Sequence, residues 1–414
     1  MKKREENWCS GFEKKNGELI EIEGLDYSEN ESSVLLKYDI IVSGKRYTLW
    51  YSFSLEDKDA VSYEVADGIV VTLLPFAMRG GYNITSKIPV SERLWFQLTE
   101  LFIPQFSTDQ EMWLTQISCN RVNTQYNPTD TGTAMSCGVD SFYTFFHYTG
   151  ERVPTQYKVS LLTFFQNGAH HSGVIGHSHE EEDIFKKQLA HVREFCSSIQ
   201  FPLLTVTSNL DEFLSDAFWY DSFHYTHAYR NAGFVLLLQK RIRSYYYTGV
   251  RDIFHFSASL WDDTELYEKW LLPNLSTDCT SFYSVSTSLN RIEKTKFIAL
   301  YPETYNHLLV CYADGDNCGR CIKCVRQLLI LDYLGLLDTY KNSFPTEKYL
   351  SGKNWYEMQL LANKRSDQNL EEVYRLAREK GTKFSLRKRA IAYIHGMAWQ
   401  IRDKRIKREL LRKS

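Results

Sequence analysis

Apolar and polar positions alternate in short segments along the first part of the chain. From Glu18 to about Leu74 these segments are separated by Gly, Asn and Ser, a pattern that predicts antiparallel strands. After Pro89, apolar residues between Val90 and Phe102 recur at helical spacing, with Ser91 as a suitable N-cap. We therefore predict a β-rich α+β domain over residues 1–115.

The middle of the chain alternates strand-like runs with helical stretches. Helical spacing is clearest over Glu180–Ser198 and Ala228–Tyr245. The strand-like runs are Val159–Phe165, Leu203–Thr207, Asp252–Ser257 and Phe282–Val285. This alternation predicts an α/β core with a parallel sheet and right-handed crossovers over residues 116–335. The pattern is helical from about Val325, and we predict a basic helical C-terminal extension over residues 336–414.

Composition supports a globular protein of more than one domain. The chain has 414 residues, of which 43% are hydrophobic and 14% aromatic. Its net charge of −2 gives no overall electrostatic attraction to nucleic acid or to a membrane. Because no signal-like segment and no run of 18 apolar residues occurs, we expect a cytoplasmic protein. In that compartment the nine cysteines are expected to be thiols, metal ligands or catalytic groups.

A short segment in the core has the composition of a phosphate-binding loop. It follows the apolar pair Ala134 and Met135 and precedes an amphipathic aromatic stretch. Its residues are Ser136, Cys137, Gly138, Val139, Asp140 and Ser141. Backbone N–H groups and hydroxyls would gather there at a helix N-terminus, which binds anions. No lysine follows the glycine, so the segment is not a P-loop, and a serine-rich turn with a capping Asp is the structural alternative.

Four cysteines lie close together near the end of the core. Cys311, Cys318, Cys321 and Cys324 have the spacing C-x6-C-x2-C-x2-C. Four thiolates on tight turns can surround one tetrahedral zinc ion, and the compact spacing favours zinc over an iron–sulfur cluster, which is the alternative. Because the cluster closes the α/β segment, we expect it to hold that segment in place.

The two motifs together resemble a known family. A loop of the Ser-x-Gly-x-Asp-Ser type resembles that of the PP-loop ATP pyrophosphatases. Followed about 170 residues later by Cys-Gly-x-Cys-x-x-Cys, it is similar to the 7-cyano-7-deazaguanine synthase family of queuosine biosynthesis, over about residues 130–335. The resemblance implies a Rossmann-like core of the adenine nucleotide alpha hydrolase type. The first domain and the basic extension look more like the enlarged members encoded in bacterial anti-phage defence operons of the Qat and CBASS types.

The resemblance implies an ATP-dependent, AMP-forming amide ligase. In such an enzyme a 7-deazaguanine carboxylate attacks the α-phosphate of ATP, pyrophosphate leaves, and an amine then displaces AMP. The implied cofactors are ATP, Mg²⁺ and Zn²⁺, and the enlarged relatives imply an amine on a co-encoded partner protein as the acceptor. Alternatives are a free 7-cyano-7-deazaguanine synthase using ammonia, a PP-loop tRNA-modifying enzyme, and a nucleotide-sensing scaffold without turnover.

Individual residues follow from the same resemblance. Ser136, Gly138, Asp140 and Ser141 match the pyrophosphate-binding loop. Asp140 would either cap the helix or help to hold Mg²⁺. Arg291 and Lys294 match a segment of the enlarged relatives and are candidates for neutralising phosphate charge, with a solvated helix start as the alternative. Cys137 stands where the family has glycine, and a thiolate nucleophile at this position is the less favoured interpretation.

Histidines and basic runs outside these motifs are weaker candidates. The loop histidines His170, His171, His177 and His179 lack regular metal-ligand spacing, so we expect polar surface residues. His227 is placed at the start of a helix that points to the carboxyl edge of the sheet. The basic runs 387–389 and 404–408 favour a solvated or partner-docking helix over nucleic acid, which is the alternative.

Overall fold

A computed structural model describes residues 17–106, 113–169, 178–218, 223–251, 253–258, 263–311, 316–365 and 367–394. Its strands are β1 (Glu18–Glu29), β2 (Ser33–Val42), β3 (Lys45–Ser54), β4 (Tyr82–Ser91), β5 (Ile117–Val122), β6 (Asp130–Ala134), β7 (Leu161–Phe165), β8 (Leu203–Ser208), β9 (Ile242–Thr248) and β10 (Ser281–Val285). Its α-helices are α1 (Asp67–Gly80), α2 (Glu92–Phe96), α3 (Ile103–Phe106), α4 (Val139–Thr149), α5 (Ser178–Ser198), α6 (Leu210–Ala217), α7 (Phe223–Leu236), α8 (Glu268–Asn274), α9 (Arg291–Ile298), α10 (Ile322–Leu334), α11 (Thr346–Asn363) and α12 (Gln368–Glu379).

Within the described residues, all ten strands belong to one sheet in the order β10-β9-β6-β7-β8-β3-β2-β1-β4-β5. The five strands from β10 to β8 run parallel to one another. Strand β6 lies in the middle of this parallel half. The chain continues from it to β7 and β8 on one side and later returns to β9 and β10 on the other. Sheets of this kind bind ligands where the order reverses, at the carboxyl ends of the strands. In this sheet that place lies between β6 and β9.

The predicted α/β class is confirmed, since a largely parallel sheet is joined by helices and followed by a helical C-terminal region. Strands β1 to β4 precede the boundary expected at residue 115 and strands β5 to β10 follow it, yet all ten described strands form one sheet. The described residues fall into two compact units. One contains residues 17–288 except 137–139, and the other contains residues 289–394 together with 137–139. Whether the three expected segments fold separately stays a prediction.

One predicted helix and one predicted strand are wrong. The helix expected to continue to Tyr245 ends at Leu236, and β9 occupies Ile242–Thr248. The strand expected over 252–257 contains a short 3₁₀ turn at Ile253–His255. Strand β9 lies between β6 and β10, and Ser244, Tyr245 and Tyr246 are buried in succession, so buried and exposed positions do not alternate there. Periodicity alone does not distinguish such a run from a buried helix.

A second correction concerns the end of the predicted antiparallel segment. Strands β1 to β3 are antiparallel as predicted, but residues after Asp67 form helix α1, in which every residue is buried. A helix that is apolar all round is a core helix. Gly68 on α1 and Gly233 on α7 allow the two helices to approach closely, because a Cβ at Gly68 would lie 2.5 Å from the Gly233 carbonyl oxygen. Ser91 precedes α2 as predicted, but its hydroxyl donates to the Asp67 carboxylate instead of capping the helix.

The C-terminal helices α10, α11 and α12 pack around a core that includes Leu328, Leu360 and Leu376. The Tyr349 hydroxyl of α11 donates to the Asp332 carboxylate of α10 over 2.6 Å, which fixes the two helices side by side. Among the helices described, none combines the length and apolar character needed to cross a bilayer.

Candidate functional site

The predicted phosphate loop connects the central strand of the parallel half to a helix. Strand β6 ends at Ala134 and α4 begins at Val139, so the connection is Met135–Gly138. The Ser136 backbone N–H donates to Ser141 Oγ over 3.4 Å, and the two hydroxyl oxygens are 3.3 Å apart. These bonds close the loop onto the first turn of α4. The loop thus lies at the helix N-terminus, beside the position where the strand order reverses.

Cys137 has an unusual backbone conformation for a residue with a side chain. Its φ is +55°, in the left-handed region that glycine adopts without strain. Glycine at this position would remove the strain. The Cys137 side chain is fully buried, and its carbonyl oxygen accepts a hydrogen bond from the Leu309 backbone N–H over 2.9 Å. Reactive thiolates are partly exposed, so burial argues against Cys137 as a nucleophile.

The acidic residue of the loop lies in the first turn of α4. Asp140 is partly buried, and the following Ser141 is almost completely buried. A carboxylate in this turn is stabilised by the helix dipole, whether or not it also holds a cation. Both interpretations of Asp140 therefore stay predictions.

The loop after β7 is fixed at the same edge by an ion pair of a fully buried arginine with a partly exposed aspartate. Arg230 of α7 is fully buried and donates to Asp211 Oδ1 over 2.7 Å and to the Asn167 carbonyl oxygen over 3.2 Å. Gly168 has a φ of +91° and leaves no space for a Cβ, which would collide with the guanidinium and with Asp211. The loop is therefore held in one conformation. Of the histidines that follow, His170, His171 and His177 lie outside the described residues, as does the side chain of His179.

A chain of hydroxyl groups joins α4 to the carboxyl ends of β9 and β10. Thr248 Oγ1 donates to Thr144 Oγ1 over 3.0 Å, and Thr144 Oγ1 lies 2.7 Å from Ser286 Oγ. Thr144 points from the second turn of the helix that follows the phosphate loop. These contacts fix α4 against the two strands on one face of the sheet.

On the opposite face, Tyr247 begins a second polar chain. Its hydroxyl lies 2.5 Å from His227 Nδ1, and His227 Nε2 lies 2.8 Å from Asp263 Oδ1. His224, one turn before His227, places Nδ1 3.2 Å from the other oxygen of Asp263. The sequence indicated only that His227 would open a helix near this edge. Tyr247 and Asp263 were missed, because they are 20 and 36 residues from His227 and belong to no spaced motif.

The pKa values of two carboxylates at this edge, Asp263 and Glu268, are shifted in opposite directions. Burial alone would raise the pKa of Asp263, but hydrogen bonds from His224 and His227 hold that pKa well below its usual range. Glu268 is only 1% exposed, and burial raises its pKa to about 7. Ser284 Oγ donates to Glu268 Oε1 over 2.7 Å, and Lys269 Nζ is 3.9 Å away. The edge therefore holds one firmly ionised carboxylate and one that titrates near neutrality.

The four predicted cysteine ligands come together. Their sulfur atoms all lie within 4.8 Å of one another. Two sulfur–sulfur distances are 3.8 Å, for Cys311 and Cys321, and 4.0 Å, for Cys318 and Cys324. A tetrahedron with Zn–S bonds of about 2.3 Å has edges of about 3.8 Å, so the arrangement fits a metal ion of this size. The neighbouring Cys311 thiol raises the pKa of Cys321 to about 11. A bound dication would favour the deprotonated form instead, because metal ions bind cysteine as the thiolate.

Backbone groups and one neighbouring side chain organise the cysteine cluster. N–H groups donate to sulfur from Cys321 to Cys318 over 3.3 Å and from Cys324 to Cys321 over 3.4 Å. Asn317 Oδ1 accepts from the Cys311 backbone N–H over 3.2 Å. Gly319 has a φ of +70°, which the tight turn between two of the ligands requires. The ligand set is thus held by backbone geometry before any metal contributes.

Arg291 and Lys294 both lie in the first turn of α9, which is capped by the Asn290 side chain. Asn290 Oδ1 accepts from the Glu293 backbone N–H over 3.0 Å. Lys294 is only 2% exposed, so it does not belong to a solvated helix start, whereas Arg291 is partly exposed. A role of either cation at a phosphate stays a prediction.

One residue of the first basic run, 387–389, makes contacts within the protein. Lys388 pairs with Glu357 and donates to Asn354 Oδ1 over 2.8 Å, while Arg387 and Arg389 are exposed. The second basic run, 404–408, lies outside the described residues.

Fold and site define an α/β protein with a parallel half-sheet, a strand–loop–helix connection at its switch point and a four-cysteine centre able to hold a metal ion. No protein-family model matches the chain, and a comparison with curated proteins finds no significant match.

Proposed function

We propose that the protein is an ATP-dependent, AMP-forming ligase that activates a 7-deazaguanine carboxylate and transfers it to an amine. The observation that carries this proposal is the loop Ser136–Ser141 at the start of α4, next to the place where the strand order reverses. Polyphosphates bind at such helix termini in parallel α/β sheets. The deazaguanine substrate rests on the family resemblance of the loop together with the cysteine cluster.

The reaction requires stabilisation of the negative charge that develops on the leaving pyrophosphate. Backbone N–H groups at the start of α4 and the hydroxyls of Ser136 and Ser141 are the donors that would supply it. Asp140 would hold Mg²⁺, which neutralises phosphate charge when bound. The carboxylate oxygen of the substrate attacks the α-phosphorus, and the bond to the pyrophosphate oxygen breaks. An amine then attacks the acyl carbon, and AMP leaves.

The cysteine cluster would hold zinc in a structural role. Its four ligands are thiolates, so no coordination position is left open for a substrate. It orders the segment that ends at Cys311, and Leu309 of this segment donates to the Cys137 carbonyl oxygen. Zinc would therefore support the phosphate loop through the backbone.

The acceptor we propose is an amine on a co-encoded partner protein in a bacterial anti-phage defence system, and the setting is the cytoplasm. A decisive experiment incubates the purified protein with 7-carboxy-7-deazaguanine, ATP, Mg²⁺ and each co-encoded protein. Pyrophosphate and AMP are measured together with the intact mass of every protein. We expect pyrophosphate release that depends on the deazaguanine, and a mass increase on one partner.

The controls separate the alternatives. The Asp140→Asn variant should lose most pyrophosphate release, whereas Glu293→Gln, a change at an exposed ion pair, should retain it. A new small molecule formed from ammonia without any partner would identify a free nitrile or amide synthase instead. Absence of deazaguanine-dependent pyrophosphate release would contradict the ligase proposal as a whole.

A further inference from the structure

We propose that Tyr247, His227 and Asp263 form a proton relay that removes the proton from the attacking amine. This inference rests on the proposed ligase function and assigns a second half-reaction to a side-chain cluster separate from the phosphate loop. An amine that attacks an acyl group must lose a proton before a stable amide forms. A group positioned to accept that proton typically accelerates the step by about 10²- to 10⁴-fold.

The hydrogen-bond geometry sets the direction of the relay. Asp263 accepts from His227 Nε2 over 2.8 Å, and Asp263 also accepts from the Glu265 backbone N–H over 3.0 Å. A carboxylate at Nε2 keeps the proton on that nitrogen in neutral imidazole, so Nδ1 is an acceptor. Tyr247 then donates its phenolic proton to Nδ1 over 2.5 Å. In the proposed relay an external proton arrives at a lone pair of the phenol oxygen.

The location of this relay fits a reaction at the carboxyl edge. Tyr247 is the penultimate residue of β9, which borders β6 at the switch point. Thr248, the next residue, contacts Thr144 of α4, and successive strand residues point to opposite faces. Helices α4 and α7 therefore cover opposite faces of the same edge. Neither Tyr247 nor His227 is completely buried, and 17% of the His227 side chain is exposed.

The proton balance of the step is complete. The amine nitrogen forms its bond to the acyl carbon and gives one proton to Tyr247 Oη. In the same event the Tyr247 proton moves to His227 Nδ1. The resulting imidazolium lies beside the ionised Asp263, which stabilises its charge. When AMP leaves, its phosphate takes the acyl–oxygen bond electrons, and the His227 proton returns to solvent. No oxidant or reductant is needed.

Other charged groups around the relay define its field. Those facing it are His224 on α7, Glu265 and Arg251, which form an ion pair of 2.8 Å, and Glu268 with Lys269 on α8. Burial and the negative charges of Glu268 and Asp263 raise the pKa of Tyr247 well above its usual value. Tyr247 is therefore a neutral phenol at physiological pH, and His227 is the group that stores the proton.

The test separates the two half-reactions. Exchange of labelled pyrophosphate into ATP, dependent on 7-carboxy-7-deazaguanine, measures activation without any amine. Amide formation with the acceptor protein measures transfer. We expect Tyr247→Phe and His227→Gln to retain exchange within about threefold and to lose transfer by about 100-fold. Methoxyamine, which is unprotonated at neutral pH, should restore much of the transfer rate in both variants.

Tyr246→Phe is the matched control. It is the neighbouring tyrosine on the opposite face of β9, where its hydroxyl donates to the Tyr157 carbonyl oxygen over 2.9 Å. Its transfer rate should equal that of the unmodified protein. Unchanged transfer in Tyr247→Phe and His227→Gln would contradict the relay and leave the ligase proposal standing. An equal loss of exchange and transfer would also contradict the relay, because it indicates a structural role for these residues. Absence of exchange in the unmodified protein would instead contradict the ligase function.

Discussion

The cysteine cluster and the carboxyl edge of the sheet are two polar centres built in different ways. The cluster uses four identical side chains from a 14-residue segment, oriented by backbone N–H groups that donate to sulfur. The edge uses His, Tyr, Asp, Glu and Ser side chains that bond to one another and come from distant parts of the chain. The first arrangement is able to hold a metal ion, and the second contains a carboxylate, Glu268, whose pKa is raised to about 7 by burial. We therefore expect metal removal to destabilise the first centre and a change of pH to destabilise the second.

Metal removal should produce the largest effect. Chelation, or Cys324→Ser, takes away the ion that balances four crowded sulfurs, and we expect the free energy of unfolding to fall by more than about 4 kcal/mol. Thermal unfolding with and without chelator, together with elemental analysis, measures this. One zinc per chain is expected. Iron with acid-labile sulfide would show that the cluster belongs to another class of metal centre.

A change of pH should alter the stability of the protein through Glu268 at the carboxyl edge of the sheet. The pKa of Glu268 is raised from 4.5 to about 7, so its contribution to stability is complete below pH 4.5 and is lost as the pH rises to 7. Glu268→Gln removes this dependence. Between pH 4.5 and 8 the unmodified protein should lose about 3 kcal/mol relative to the variant. Urea unfolding of both proteins at several pH values tests this, with the exposed Glu293→Gln as a control that should show no such difference.

Gly319→Ala should destabilise the cysteine cluster through its backbone. The added Cβ would lie 2.6 Å from Pro345 Cγ, at a φ of +70°. Gly335 is a matched control with a φ of +73° and nothing within 4 Å of the added Cβ. We expect a loss of about 1–2 kcal/mol for Gly335→Ala from backbone strain, and about 2–4 kcal/mol for Gly319→Ala from strain plus overpacking. Equal losses in denaturant unfolding would mean that Pro345 moves aside at no cost.

The smallest effect is expected at Cys137. Glycine relieves the left-handed strain at φ +55° but loses a buried thiol, so Cys137→Gly should change stability by less than about 1 kcal/mol. Cys137→Ala loses the thiol and keeps the strain, and it should be about 1 kcal/mol less stable than the glycine variant. Ligase activity should survive in Cys137→Gly. Complete loss of activity in a folded Cys137→Gly protein would restore the nucleophile interpretation.

The difference between the two centres also explains what the sequence could predict. The cysteine ligands were found because their spacing is local, and the loop at Ser136 was found because strand, loop and helix follow one another directly. The parallel sheet followed from alternating segments. In contrast, the cluster of Tyr247, His227 and Asp263 forms because helix α7 and the segment at Asp263 pack near the end of β9. No local sequence pattern contains this packing.

The errors in secondary structure have a related cause. Every residue of helix α1 is buried, and strand β9 buries Ser244, Tyr245 and Tyr246 in succession, so neither element shows the periodicity that distinguishes helix from strand. Lys294 illustrates the same limit for a charged residue. Its neighbours in sequence are charged, yet packing of α9 leaves it only 2% exposed.

The pairing of β3 with β8 covers an edge of the parallel half of the sheet. Without it, β8 would be the free edge of a parallel sheet, with unpaired N–H and C=O groups open to strands of other molecules. The antiparallel contact from Tyr51 with Ser208 to Phe53 with Val206 covers that edge. We therefore expect a core shortened to begin at β6 to aggregate even with the loop at Ser136 intact. Protection of this sheet edge thus comes from residues that precede the parallel strands in the chain.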